Sequence, residues 1–159
     1  MWHAHQTSVD RLLVRLVYAQ QLPVAGRLIA VALMLRGTDI APSALTARGL
    51  VLPHSGIGVV VHSKARIGQN VTLFQGVTVG RADMWRAADP DWSAPIVEDE
   101  AILCANATVV AGRDEVRIGR GAVVGANTVI TRSIPAWEIW AGSPARKVGE
   151  RDTDKAMRS

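Results

Sequence analysis

Cysteine is almost missing from the 159-residue chain, where Cys104 stands alone. A single thiol excludes an intramolecular disulfide and fits a reducing compartment. Aromatic residues are scarce at 4%, so a core of small aliphatics is expected rather than one of large rings. The apolar run Leu28–Leu35 has eight residues, far short of the roughly 20 needed to span a bilayer. The N-terminus lacks the ordered basic, apolar and small-residue regions of a secretory leader, and cytoplasm is the expected compartment. No recognition-helix, zinc-finger or aromatic-basic pattern accompanies the net charge of +4 and pI near 10.0. Nucleic acid is therefore not the expected partner, and the positive balance suits a smaller anionic one such as a nucleotide cofactor.

What the chain has is a beat. From Val61 an aliphatic returns every sixth residue, at Ile67, Leu73 and Val79, with Ala65, Val71 and Val77 four places after each leading residue. The same beat resumes at Val97, Leu103 and Val109, and again at Ile118, Val124 and Ile130, with small or β-branched partners at Ala101, Ala107, Ala122, Thr128 and Ile134. Val79 and Val97 are 18 residues apart, so the register survives the gap. Neither a helical period nor strand alternation gives a six. A fixed short period predicts a solenoid, here a mainly β, single-stranded parallel β-helix with three six-residue faces per turn. Glycine and asparagine after the leading aliphatic (Gly68, Asn70, Gly76, Gly119, Gly121, Gly125, Asn127) are expected at tight corners of positive φ.

Residues 1–38 read as a short helical cap, in which residues 8–36 make two short helices broken at Pro23 and Gly26, the second over roughly 24–36. Ser8 is the expected N-cap of the first, and Leu12, Leu13, Leu16 and Val17 its apolar stripe. The pair is expected to close the open end of the coil. The alternative is a membrane-surface hairpin with Arg11, Arg15, Arg27 and Arg36 toward anionic lipid. His3 and His5 are assigned no role. Residues 39–134 form the solenoid, beginning with two irregular sixes at Ile40 and Thr46. Residues 81–95 interrupt the beat and must leave it as a loop. Trp85 and Trp92 in that loop are candidates for stacking on a sugar or covering a thioester, with packing against the coil as the alternative. Arg113-Asp114-Glu115 reads as a surface bulge. Residues 135–159 are expected to close the coil, Pro135 and Pro144 ending the strand pattern, with a disordered tail from 149.

The stretches TDIAPSA, GLVLPHSGIGVVVHSKARIGQNVTLFQGVTVG, ILCANATVV, IGRGAVVGANTVI and IPAWEIWAGSPARKV cover most of residues 38–148. In order and spacing they resemble the serine acetyltransferase group of hexapeptide-repeat acyltransferases. The resemblance implies a left-handed coil, a homotrimer, and acetyl-CoA as acyl donor lying between coils of adjacent subunits. It implies His54 as general base and Asp39, 15 residues earlier, as the carboxylate that orients it. An imidazole with an ordinary pKa near 6.5 suits removal of a hydroxyl proton, and a carboxylate on its other nitrogen would fix the tautomer. Backbone N–H groups of the Ser55–Gly58 bend are the expected oxyanion donors. Ala105 and Ala126 match the small residues along the pantetheine arm, and Gly142 permits close approach to it. Arg146 and Lys147 are candidates for the cofactor phosphates, or else a solvated basic tail.

Pro53 stands where serine acetyltransferases place an aspartate before the catalytic histidine, the 81–95 loop ends without their histidine, and residues 1–38 stand in place of a longer helical domain. A sugar or polysaccharide hydroxyl is therefore the expected acceptor rather than free serine. Some hexapeptide coils bind zinc through three histidines, but no third histidine follows His54 and His62, so no metal is expected. His62 is read as a surface or inter-subunit residue. Cys104 has no neighbouring base and reads as structural rather than acyl-carrying. The rival class is a non-catalytic β-helix that binds a partner.

Overall fold

The beat decides which side chains turn inward. In the computed structural model, which describes residues 6–44, 47–83, 85 and 92–152, every leading aliphatic from Val61 to Ile130 is buried. The smaller partners at Ala65, Val71, Val77, Ala101, Ala107, Ala122, Thr128 and Ile134 are buried with them. Each fully buried aliphatic contributes about 1.5–3 kcal/mol, and they join in one continuous core cluster.

The strands that carry these residues stack as three parallel faces of a coil. One face holds β1 (Asp39–Ile40), β2 (Val60–Val61), β5 (Thr78–Arg81), β8 (Thr108–Ala111) and β11 (Val129–Ile130). A second holds β3 (Arg66–Ile67), β6 (Ile96–Val97) and β9 (Arg117–Ile118). The third holds β4 (Thr72–Leu73), β7 (Ile102–Leu103), β10 (Val123–Val124) and β12 (Glu138–Ala141), with β13 (Arg146–Glu150) antiparallel at its edge. Register keeps like on like: Val61 lies on Val79, Val79 on Val109, and Val109 on Ile130.

The corners divide by cause. Asn70, Gly76, Gly121 and Asn127 have positive φ, joined by Glu100 and Asn106, which composition did not mark. Gly68, Gly119 and Gly125 do not belong to that set, and they are small for a different reason. A Cβ on Gly119 would collide with the Ala136 nitrogen, and one on Gly68 would sit 2.8 Å from the Asp99 nitrogen. The next coil passes too close for any side chain.

The cap is two helices, α1 (Ser8–Ala19) and α2 (Gly26–Leu35). Thr7, not Ser8, is the N-cap of α1: its hydroxyl accepts from the Asp10 nitrogen, and the Asp10 carboxylate accepts from the Thr7 nitrogen at 2.9 Å. That reciprocal pair satisfies two backbone donors at once, which a cap one residue later would forgo. Leu13, Val17 and Leu33 join the coil's core at its first turn. Leu12, expected on the inner stripe, is exposed, because the helix turns Leu13 and Val17 inward and rotates it away.

The other end differs from expectation. Pro135 does not end the strand pattern; β12 adds another rung on β10. The chain then turns back as β13, so the order runs to Glu150, beyond 149. Arg151 holds the end down, donating to the carbonyls of Glu100 and Gly121 while its guanidinium lies over Trp137. His3, His5, Thr46, most of 84–91 and the tail from 153 lie outside the described residues.

Candidate active site

A regular turn of the coil takes 18 residues, as between Val61 and Val79, but Ile40 pairs with Val61, 21 residues on. The surplus three residues fall between Leu52 and Val61, where the chain makes a tight bend over Pro53–Gly56. His54 is at its centre. Both His54 (φ 54°, ψ 34°) and Ser55 (φ 57°, ψ 24°) are left-handed, a conformation that costs an ordinary residue about 1–2 kcal/mol each. The bend lifts the His54 side chain out of the coil into an exposed position, with Phe74 of the next coil 6.4 Å away between ring centroids.

Bonds from the cap hold the bend. The Ser55 nitrogen donates to Asp10 Oδ1 at 2.7 Å and the Ser55 hydroxyl to the same oxygen at 3.0 Å. The Thr38 hydroxyl donates to the Gly56 carbonyl at 3.1 Å, and the Gly58 nitrogen to the Gly37 carbonyl at 2.6 Å. Burial by itself would raise the Asp10 carboxyl, but the bonds from Thr7 and Ser55 together outweigh it and hold the pKa below its ordinary value. The Ile57 nitrogen reaches back to the His54 carbonyl at 3.4 Å. Of the four expected oxyanion donors, Ser55, Ile57 and Gly58 thus have partners inside the chain.

Asp39 lies on β1, exposed, its backbone paired with Val60. Among the described residues no hydrogen bond joins its carboxylate to His54. The carboxylate that reaches the bend is Asp10; the Thr7-x-x-Asp10 spacing suits a helix cap but does not signal the bond to Ser55.

Farther along the coil, Ala105 is half-buried and Ala126 exposed, and the two are linked through the Asn127 nitrogen bonded to the Ala105 carbonyl at 2.9 Å. Gly142 is left-handed at φ 89° and exposed. Beside it opens a groove of about 220 Å³ between β11 and the closing segment, lined by Trp140, Arg132 and Arg146 among others. Arg132, with its guanidinium 5.1 Å from the Trp140 ring centre, is a second cation there that the beat gave no reason to single out. Lys147 is less available than Arg146, because its ammonium pairs with Glu138 at 2.8 Å and Glu150 at 2.6 Å.

Of the loop tryptophans, Trp85 is 80% exposed and Trp92 only 6%. Trp92 packs edge-on to His62 and donates its indole N–H to the Ala111 carbonyl at 2.9 Å. Within the chain it pins the returning loop to the coil. Cys104 is half-buried, and burial pushes its thiol up, away from the thiolate a nucleophile needs.

The chain is thus a three-faced parallel coil with a left-handed histidine bend on its first full turn. No family model matches the chain. It is 31% identical over 144 residues to a serine acetyltransferase of Bacillus licheniformis, covering 91% of this chain and 63% of that protein. It is 33% identical to serine acetyltransferase 4 of Arabidopsis thaliana, covering 82% of this chain and 37% of that one. Among solved structures, a serine acetyltransferase of Brucella abortus in complex with coenzyme A superposes with a TM-score of 0.69 at 28% identity, over 95% of this chain and 56% of that one. The Vibrio cholerae serine acetyltransferase gives 0.70 at 27% identity, covering 92% of this chain and 55% of that one. The chain is a homologue of the serine acetyltransferases, and its coil is their left-handed parallel β-helix. It spans less than two thirds of the length of these relatives, from 37% to 63%.

Proposed function

We propose that the protein is an acetyl-CoA-dependent O-acetyltransferase with His54 as general base. The observation that carries this reading is the bend itself. A scaffold has no use for three surplus residues that hold an exposed imidazole in a costly backbone conformation, whereas a base must stand clear of the coil. In the reaction the acceptor hydroxyl gives its proton to the imidazole as its oxygen attacks the thioester carbonyl. The tetrahedral intermediate then collapses, the C–S bond breaks, and the thiolate takes the proton back from the imidazolium. Asp39 would orient the ring once donor and acceptor are seated, since catalytic hydrogen bonds often tighten only in the complex. The acceptor is a sugar or polysaccharide hydroxyl rather than free serine: Pro53 adjoins the base, and a proline side chain can neither charge nor accept a bond from an amino acid. Trp85, exposed on the loop, offers the acceptor an aromatic face.

The donor's arm would run past Ala126 and Ala105, where small side chains leave the backbone approachable, and its phosphates would meet Arg132 and Arg146. Each arginine replaced by alanine should raise the KM for acetyl-CoA about five- to twentyfold, from loss of a charge-assisted bond worth about 1.5–3 kcal/mol less solvent screening. The kcat should be unchanged, and initial-rate kinetics would separate the two. Val60 and Val129, on one face of the coil and 42% and 47% exposed, suit contact with further copies, and a homotrimer is the proposed assembly.

The test of function is thiol release from acetyl-CoA against serine, simple sugars, nucleotide sugars and oligosaccharides. Release that needs a saccharide and His54 supports the reading. Neither release nor acetyl-CoA binding by calorimetry would favour the non-catalytic coil.

The cap carries a separate surface. Val24, Leu28, Val31 and Leu35 form an outward stripe on and just before α2, each at least 55% exposed. Residues 11–38 hold four arginines and no acidic residue, so two such faces would repel each other and an anionic membrane surface is the better fit. Cosedimentation with vesicles of phosphatidylcholine plus phosphatidylglycerol, but not with phosphatidylcholine alone, is the expected result. Equal recovery in both supernatants would refute it. Among the described residues no helix is long and apolar enough to cross a membrane.

A further inference from the structure

Asp10 is the only charged side chain in the buried set of described residues, at 4% exposed, and the reaction above leaves it unused. A lid for the coil needs only the apolar contacts of Leu13, Val17 and Leu33. A buried carboxylate costs desolvation that such a lid would avoid, so its partners show what it is for. One oxygen takes the Thr7 nitrogen and fixes the carboxylate to the first turn of α1. The other takes both the nitrogen and the hydroxyl of Ser55.

We propose that Asp10 is a positioning residue for the acyl transfer: it ties the left-handed His54–Ser55 bend to α1 and so sets where the imidazole stands. The proposal rests on the reading of His54 as base. Two successive left-handed residues without glycine persist only where their surroundings over-determine them. Here the Ser55 side is gripped by Asp10 and the Gly56 carbonyl by Thr38. Released from Asp10, Ser55 can relax toward ordinary φ, and the histidine one peptide away moves with it. The helical cap is then part of the active site's frame, although it contributes no atom that touches substrate.

The test compares Asp10→Asn, Ser55→Ala, Thr7→Ala and His54→Asn in the full chain. Thiol release from acetyl-CoA with the acceptor found in the panel is measured together with amide exchange of the 52–58 segment. Asp10→Asn should lower kcat about ten- to hundredfold with little change in the KM for acetyl-CoA, the size expected when a catalytic group is misplaced by about 1 Å. Its 52–58 segment should exchange faster while the coil does not. Ser55→Ala, which leaves the helix cap intact, should show a smaller loss of the same kind, and it carries the test if Asp10→Asn does not fold. Thr7→Ala removes the cap hydroxyl but keeps the backbone N–H that binds Asp10, and should lose less kcat than Asp10→Asn. Wild-type kcat in Asp10→Asn, or equal losses in Asp10→Asn and Thr7→Ala, would overturn the proposal. Full turnover in His54→Asn would instead show that the base was misassigned, and the positioning role would fall with it.

Discussion

Replacing His54 with asparagine is expected to lower kcat by about 10²–10⁴-fold, the range that a positioned general base supplies, while acetyl-CoA still binds. Asparagine is the informative choice because of the backbone. His54 sits at φ 54°, a region that asparagine tolerates better than alanine or most other residues. The bend should therefore survive, and the change removes the basic nitrogen with little else. Alanine at the same place should be as inactive, but with the bend less secure. If His54→Asn binds acetyl-CoA normally in calorimetry and loses turnover, loss of the base is the cause. Retention of kcat within about threefold would be incompatible with general-base catalysis by this residue.

The coil could be read from the sequence because its physics is repetitive. A six-residue period of aliphatics has one efficient burial, and all ten leading positions from Val61 to Ile130 are buried. The histidine bend was legible in part: its resemblance to a known motif marked His54, while the three surplus residues before Val61 came to light only in the pairing of Ile40 with Val61. Asp10 was not legible as part of that bend. Its bond to Ser55 spans 45 positions, and no local pattern encodes a contact made across the end of a solenoid by a helix that does not share its period. Arg132 escaped for a similar reason, since it gains meaning only from Trp140 folding back beside it. The corner glycines show the limit of reasoning from residue type. Positive φ and close approach both select glycine: Gly121 has both, since a Cβ there would also meet the Trp137 ring, whereas Gly119 has close approach to Ala136 alone.

Leu103→Ala should be the most damaging single truncation in the coil, costing about 2–5 kcal/mol. Leu103 is fully buried and lies in register between Leu73 on one coil and Val124 on the next. In a solenoid each turn is stabilised only by its neighbours, so a cavity at Leu103 weakens two interfaces at once. An equal truncation at an end turn weakens one, and Leu50, 4% exposed near the cap, is the comparison. Denaturant melts of the two variants against wild type would measure the difference. Leu103→Ala should shift the midpoint further, with loss of cooperativity if the terminal turns then melt separately from the cap. Equal shifts would mean that the stack transmits stability as a single three-dimensional core. The position also bears on function, because Leu103 lies two residues from Ala105 on the proposed donor path. If the coil loosens there, acetyl-CoA should protect the variant by less than it protects wild type at the same concentration, since a ligand stabilises only the state that binds it.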